Sequence, residues 1–393
     1  MKKVRLSYLR WGVLIVLFCF VLFASFSSVF GEWYAVFIYP WVSKILSALS
    51  SLVDFSLDEW GVLSVVFLLL ICPFYLRVKK SKRWLQILGC EFEMVLWVYV
   101  WFYLAWGMNY DRFNFYHRAG VKPVAYDEVE FKDFLQSFTD SLHKALGNCQ
   151  QDGWIKSPDL FQAMVEVDGH IISSISNERK ESISLDVSKN ASLSMRVIQD
   201  EIKSMYRKVP SFYGLCVPQS YQRPKRSSFN SLYSNVGVTG FMGPFFAESH
   251  VNLELSVLEY PFTYAHELSH LLGVSSEAEA NLWAYIVCTQ SSSSLIRLSG
   301  YMGLLPYVRS NAFYLLQRKD FEKWESSLYS EVSALSYRVH AYWASRYNPT
   351  LGEIQSAMYE FYLKRNKIVS GQKNYAQVVG MLLSLPQFNI RLK

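Results

Sequence analysis

The spacing of apolar and polar positions divides the chain in two. Up to about residue 106 the apolar residues come in long runs. Trp11 to Phe30 is twenty residues without a charge, enough to cross roughly 30 Å of hydrocarbon. Trp60 to Leu76 is a second run, interrupted by Pro73, which a membrane helix tolerates. Leu85 to Trp106 is a third. It carries Glu91 and Glu93, which are costly in lipid and are expected near the headgroups or facing the bundle. For the first run a cleaved signal peptide is the alternative, but its length and the lack of a clean small-x-small site favour an anchor. Between the first two runs, Val42, Ile45, Leu46, Leu49 and Val53 recur at helical spacing. That stripe suits either the membrane interface or packing on the following domain.

Beyond residue 106 the pattern becomes mostly helical. It predicts helices over 127–147, 158–178, 192–207, 261–273, 276–291, 298–318, 320–346, 352–369 and 374–385. Between about 208 and 257 it changes again. Val236–Phe241 and Ala247–Leu255 read as short strands around Gly240, Gly243 and Pro244, with Val251, Leu253 and Leu255 alternating as on a half-buried strand. The expected fold class is α+β, mostly α. Three N-terminal membrane helices (1–106) precede an extracytoplasmic domain (107–393) with a short hairpin ahead of one particular helix.

Composition and charge refine this picture. The chain is 51% hydrophobic, 17% aromatic and only 18% charged, between an ordinary soluble enzyme and a transporter. Residues 1–83 hold ten Lys/Arg and four acids, which accounts for the whole net charge of +6. The basic balance therefore speaks for membrane topology and not for nucleic acid. Basic residues flank the start of the first run and fill Arg77–Arg83, so those stretches are expected in the cytoplasm. Three spans then put everything after Trp106 outside. Trp97, Tyr99, Trp101, Tyr103 and Trp106 read as an aromatic belt at the outer end of the third span. The six cysteines show neither a disulfide framework nor a thiolate metal pattern.

The chemistry concentrates in Thr263–Asn281. His266-Glu267-Leu268-Ser269-His270 places two imidazoles four apart, on one face of a helix, as two ligands of a tetrahedral zinc require. Glu267 follows the first histidine and is the candidate general base. Gly273 is a natural helix stop, and Ser275 or Ser276 can cap the next helix. A third ligand is expected from Glu277 or Glu279. Glu277 shares a helix face with Asn281, whereas Glu279 points elsewhere on the same helix. Glu248, beside the expected strand, is a candidate substrate contact. Tyr264, Tyr301, Tyr307, His340 and Tyr375 are candidate donors to a transition-state oxyanion. His117, His143, His170, His250 and His340 are isolated.

These residues resemble the HExxH zincin pattern of zinc peptidases. Glu277 with Asn281 resembles the Glu-x-x-x-Asp element of gluzincins, in which the Glu binds zinc and the Asp steadies a zinc-binding histidine. Here Asn stands for Asp, and His270 and Glu277 are unusually close in sequence. The resemblance implies zinc held by His266, His270 and Glu277, with Asn281 behind a ligand. The three runs, Trp106-Gly107-Met108-Asn109-Tyr110-x-Arg112, Gly240-Phe241-x-x-Pro244-Phe245 and His266–Asn281 together resemble a family of bacterial membrane proteins catalogued as domain of unknown function 3810. That likeness implies a zincin-like domain anchored in a bacterial cytoplasmic membrane, with the bilayer and an envelope peptide or protein as partners. The leading expectation is a zinc metallopeptidase. The alternative is an inactive zincin-fold binding or assembly factor, and an intramembrane protease is disfavoured because the His266 helix lacks a long apolar context.

Overall fold

The computed structural model describes residues 2–154, 165–167, 170–172, 195–365, 377–385 and 392. Helix α1 (Lys2–Ala24) leads through a sharp turn into α2 (Ser28–Trp33), a π-helical turn (Tyr34–Ile38) and α3 (Tyr39–Ser50). Helices α4 (Leu57–Val78) and α5 (Trp84–Ala105) follow, and both are long and apolar enough to cross a membrane. Helix α5 packs against both α1 and α4. Glu93 is buried there and accepts from Arg10 of α1 at 2.8 Å, so it faces the bundle.

The first span differs from its expectation. The helix stops at Ala24 instead of reaching Phe30, and the axis turns by 106° before Ser28–Ser50. The cause is local capping. Ser25 donates to Leu22 O, and Ser27 accepts from Phe30 N as the N-cap of α2. Counting apolar residues does not register such a cap. The bent pair is the third candidate span.

The stripe on α3 divides between the two alternatives. Its buried face is Tyr39, Ser43, Leu46, Ser47 and Ser50, while Trp41, Ile45 and Leu49 are each more than half exposed. Small hydroxyl residues let the helix come close to the following domain, where Gln222 bridges to Ser47 at 3.1 Å. Of the stripe, Leu46 is buried and Val42 packs on the core, while Ile45 and Leu49 stay outside.

The remaining chain builds a helical layer. Helix α6 (Phe115–Ala119) precedes α7 (Glu128–Gln151). The helix expected over 158–178 is contradicted where the structure describes it. Strands β1 (Val165–Val167) and β2 (His170–Ile172) pair antiparallel instead. Their β-branched residues flank the dipeptide Asp168-Gly169, a hairpin signal that outweighs the helical spacing. Helix α8 (Met195–Arg207) and the short α9 (Asn230–Asn235) lead to β3 (Gly240–Gly243) and β4 (Glu248–Val251), a hairpin as read in the sequence. Its first strand starts four residues later than the expected Val236–Phe241, because Val236 to Val238 close the end of α9 on Tyr233 O and Ser234 O. Strand β4 is buried throughout and ends before Leu253. Asn252 ends it by giving side-chain bonds to Val238 O and Ser234 Oγ.

Helices α10 (Tyr260–Leu271), α11 (Glu277–Thr289) and α12 (Ser294–Leu315) form the centre, with α7 against α12. Almost every residue of α11 is buried, including its polar Glu277, Glu279 and Asn281. The single helix expected over 320–346 is two, α13 (Arg318–Ser327) and α14 (Ser330–Arg346), because Leu328 and Tyr329 are extended. Helices α15 (Pro349–Arg365) and α16 (Val378–Leu383) complete the described chain.

Candidate metal centre

Helices α10 and α11 make one unit. Gly273 adopts φ 97°, a conformation that favours glycine, and its N–H and that of Val274 close the end of α10 on His270 O and Ser269 O. Ser276 then caps α11. This reversal brings Glu277 back over the two histidines. His266 Nε2 lies 3.1 Å from His270 Nε2 and 3.1 Å from Glu277 Oε2, and His270 Nε2 lies 3.5 Å from the same oxygen. Three ligands at zinc's usual distances have mutual separations of about 3.3 Å in a tetrahedron. The triad therefore fits an ion of that size, and its two nitrogens and one oxygen suit zinc better than magnesium or calcium. Among the described residues this is the cluster of histidine and carboxylate atoms close enough to share an ion.

The imidazoles are turned toward that point by their other nitrogens. His266 Nδ1 donates to Asn281 Oδ1 at 2.9 Å, and His270 Nδ1 donates to Val274 O at 2.7 Å. Each imidazole therefore presents its Nε2 to the shared point, where a bound cation would take the place of any proton on it. Asn281 stands where the gluzincin-like spacing placed it. Glu279 does not join the triad: Arg118 pairs with one of its oxygens and Trp283 donates to the other at 3.1 Å.

Burial and charge set the site's protonation. Burial raises the Glu267 carboxyl to about 7, against the pull of His266 and His270. Burial opposes charge on Glu277 as well, but both imidazoles outweigh it and hold that carboxyl well below its ordinary range. For His270, burial alone lowers the value, and the Glu277 carboxylate lifts it to about 9.

The triad opens into a cavity of about 850 Å³. Glu267 lines it opposite β3, and a Cβ on Gly240 would come within 2.7 Å of the Glu267 side chain. Leu351, Ile354, Gln355, Met358 and Tyr359, one face of α15, roof the cavity. Tyr359 hydroxyl donates to Glu277 Oε1, the oxygen away from the histidines. Of the expected oxyanion donors, Tyr307 lines the cavity. Tyr264 is wholly buried in the core, Tyr301 packs on Phe138 and Tyr285, and His340 is exposed. Tyr375 lies outside the described residues. Sequence reasoning missed Tyr359; its signal was the Leu351–Ile354–Met358 spacing, which puts Tyr359 on the same helix face.

Glu248 is no substrate contact. It is buried and accepts from Ser56 Oγ, Leu57 N and Asp58 N at 3.0, 3.2 and 3.2 Å, as an anion capping the start of α4. Asp58 returns the favour by accepting from Phe245 N and Phe246 N at the hairpin turn.

Helix α3 and the segment leaving α5 together grip the end of α10. Trp106 Nε1 donates to His270 O at 3.2 Å, Tyr39 hydroxyl donates to Leu271 O at 2.9 Å, and Arg112 donates to Gly273 O at 2.9 Å. These are carbonyls that a helix end leaves without intrahelical partners. Arg112 also pairs with Glu32 at 2.7 Å. Trp101, another belt residue, donates to Phe245 O at 3.0 Å, so two of the belt's tryptophans hold the domain.

Comparison with curated proteins and with solved structures gives no match. A family model described as "Protein of unknown function (DUF3810)" matches residues 34–383, a span that takes in α3, the exit segment, the hairpin and both metal-site helices, and the chain belongs to that family.

Proposed function

We propose that this protein is a membrane-anchored, zinc-dependent peptidase of zincin type, hydrolysing peptide bonds outside the cytoplasm of a bacterium. The observation that carries the reading is the triad: three ligand atoms 3.1 to 3.5 Å apart, with each histidine's second nitrogen already committed elsewhere. His266, His270 and Glu277 hold the ion, and the cavity supplies room for substrate. Bound there, zinc supplies Lewis acidity that polarises a carbonyl and eases deprotonation of water at neutral pH. Glu267 accepts the proton from the attacking water at its carboxylate and delivers it to the leaving amine. Tyr307 and Tyr359 are the hydroxyls near enough to the triad to donate to charge developing on the carbonyl oxygen. Two helices long and apolar enough to cross a membrane, with the bent pair as a third candidate span, support the anchored reading.

The test is direct. Full-length protein purified in detergent is expected to carry one zinc per chain and to cleave members of a mixed peptide library, with both properties removed by a chelator and restored by zinc. Stoichiometric zinc without cleavage of any peptide or envelope protein would instead favour the binding or assembly factor.

A further inference from the structure

We propose that the cavity receives its substrate as an extended segment rising directly out of the bilayer, so that the substrate class is membrane-anchored polypeptide cut a few residues from its own span. This rests on the peptidase reading and on α4 and α5 crossing the membrane. Three observations point the same way.

The first is position. Trp106, the residue that ends α5, both lines the cavity and bonds to His270 O. The ion site is thus one side chain away from the end of a membrane-length helix. Trp101, five residues earlier and so roughly 7–8 Å further along that helix, holds the tip of the β3–β4 hairpin through Phe245 O. Phe102 also meets the Phe245 ring at 6.1 Å. The hairpin tip therefore lies alongside the span itself.

The second is direction. Strand β3 leads from that tip at Gly243 up to Gly240, which touches Glu267. One edge of β3 pairs with β4, and Thr239 to Met242 with Pro244 line the cavity. Four residues of strand span roughly 13 Å. A polypeptide laid along this edge would leave the level of Trp101 and reach the catalytic glutamate within about four or five residues.

The third is chemistry. Among the described residues the cavity lining contains no Lys, Arg or Asp, and its carboxylates are Glu267 and Glu277. Its rim exposes Leu232, Ile354 and Met358. Apart from the ion itself, a phosphate headgroup would find no cationic side chain among those lining residues, whereas an apolar juxtamembrane peptide finds backbone and apolar partners. We therefore commit to polypeptide over lipid.

The experiment uses the zinc-loaded full chain in liposomes with a single-span reporter. One cleavable sequence is placed either about five or about 25 flexible residues from the reporter's span. Both reporters are confined to the same membrane, so surface concentration cancels. The short spacing is expected to be cut at least about tenfold faster. A second readout needs no catalysis: a photo-reactive side chain at Met242 in the Glu267→Gln protein should crosslink to the short-spaced reporter and much less to the long one. Equal cleavage at both spacings would overturn the inference and leave the peptidase reading standing. Spacing-dependent crosslinking with no cleavage by the unmodified protein would do the reverse. Crosslinking to lipid in place of the reporter would overturn the inference.

Discussion

The protein buries carboxylates beside histidine in two places, and they do opposite things. At the start of α4, Glu248, Asp58 and Glu59 sit near His250. Every one of those carboxylates is met by donors: backbone N–H groups of Leu57, Asp58, Phe245, Phe246 and Ser228, and hydroxyls of Ser56 and Ser227. His250 stacks on Phe241, and burial lowers its value to about 3, so it stays neutral. In the α10–α11 unit the neighbours of Glu277 Oε2 are two imidazole nitrogens whose protons are committed on the far side. Two imidazole nitrogens and a carboxylate oxygen converging on one point suit a cation, whereas carboxylates ringed by N–H and O–H groups form a joint. Residue type is nearly the same in both, and the direction of the neighbouring hydrogen bonds decides the role.

That contrast can be broken by experiment. The largest expected effect is in Glu267→Gln, which should lower hydrolysis by about a hundredfold to ten-thousandfold while zinc content stays at one per chain. Turnover that survives the change would remove the general base. Next comes Glu279→Ala, which strands the buried Arg118. We expect a loss of about 3–5 kcal/mol in unfolding free energy with zinc still bound. Zinc lost from a folded Glu279→Ala protein would make Glu279 a ligand. Glu248→Gln should cost about 1.5–3 kcal/mol by weakening charge-assisted bonds to the start of α4. Metal analysis on that variant should be normal, and a metal-free folded protein would erase the distinction between the two clusters. The smallest effect is expected from Asn281→Ala, a fall of about 10- to 100-fold in zinc affinity measured by competition with a chelator.

How much of this was legible in the sequence follows from range. The α10–α11 unit could be read almost residue by residue because each determinant acts within a few positions. The histidines share a face by helical period, Gly273 supplies a left-handed turn, Ser276 caps, and Asn281 falls one turn beyond Glu277. The hairpin before it was legible for the same reason. Glu248 was misread because its partners are some 190 positions away, in α4, and no local pattern separates a helix-capping carboxylate from one facing substrate. Tyr359 was missed likewise: it reaches Glu277 from a helix 82 positions on. The α3 stripe was legible as a stripe but not as to which side is covered, since the buried face is mainly hydroxyls and the exposed one apolar. The break at Ala24 was hidden because serine caps cost nothing in a hydropathy count.

The carbonyls of His270, Leu271 and Gly273 are taken by Trp106, Tyr39 and Arg112, three side chains that all precede residue 113. The N-terminal segment is therefore not a detachable leash. A soluble fragment beginning at Gly107 would lack Tyr39 and Trp106, and would leave Arg112 without Glu32, at the joint where the two ligand helices meet. If the triad binds a metal as proposed, cutting the domain from its N-terminal helices would loosen the ligands in the same cut and tie any activity to the full-length chain.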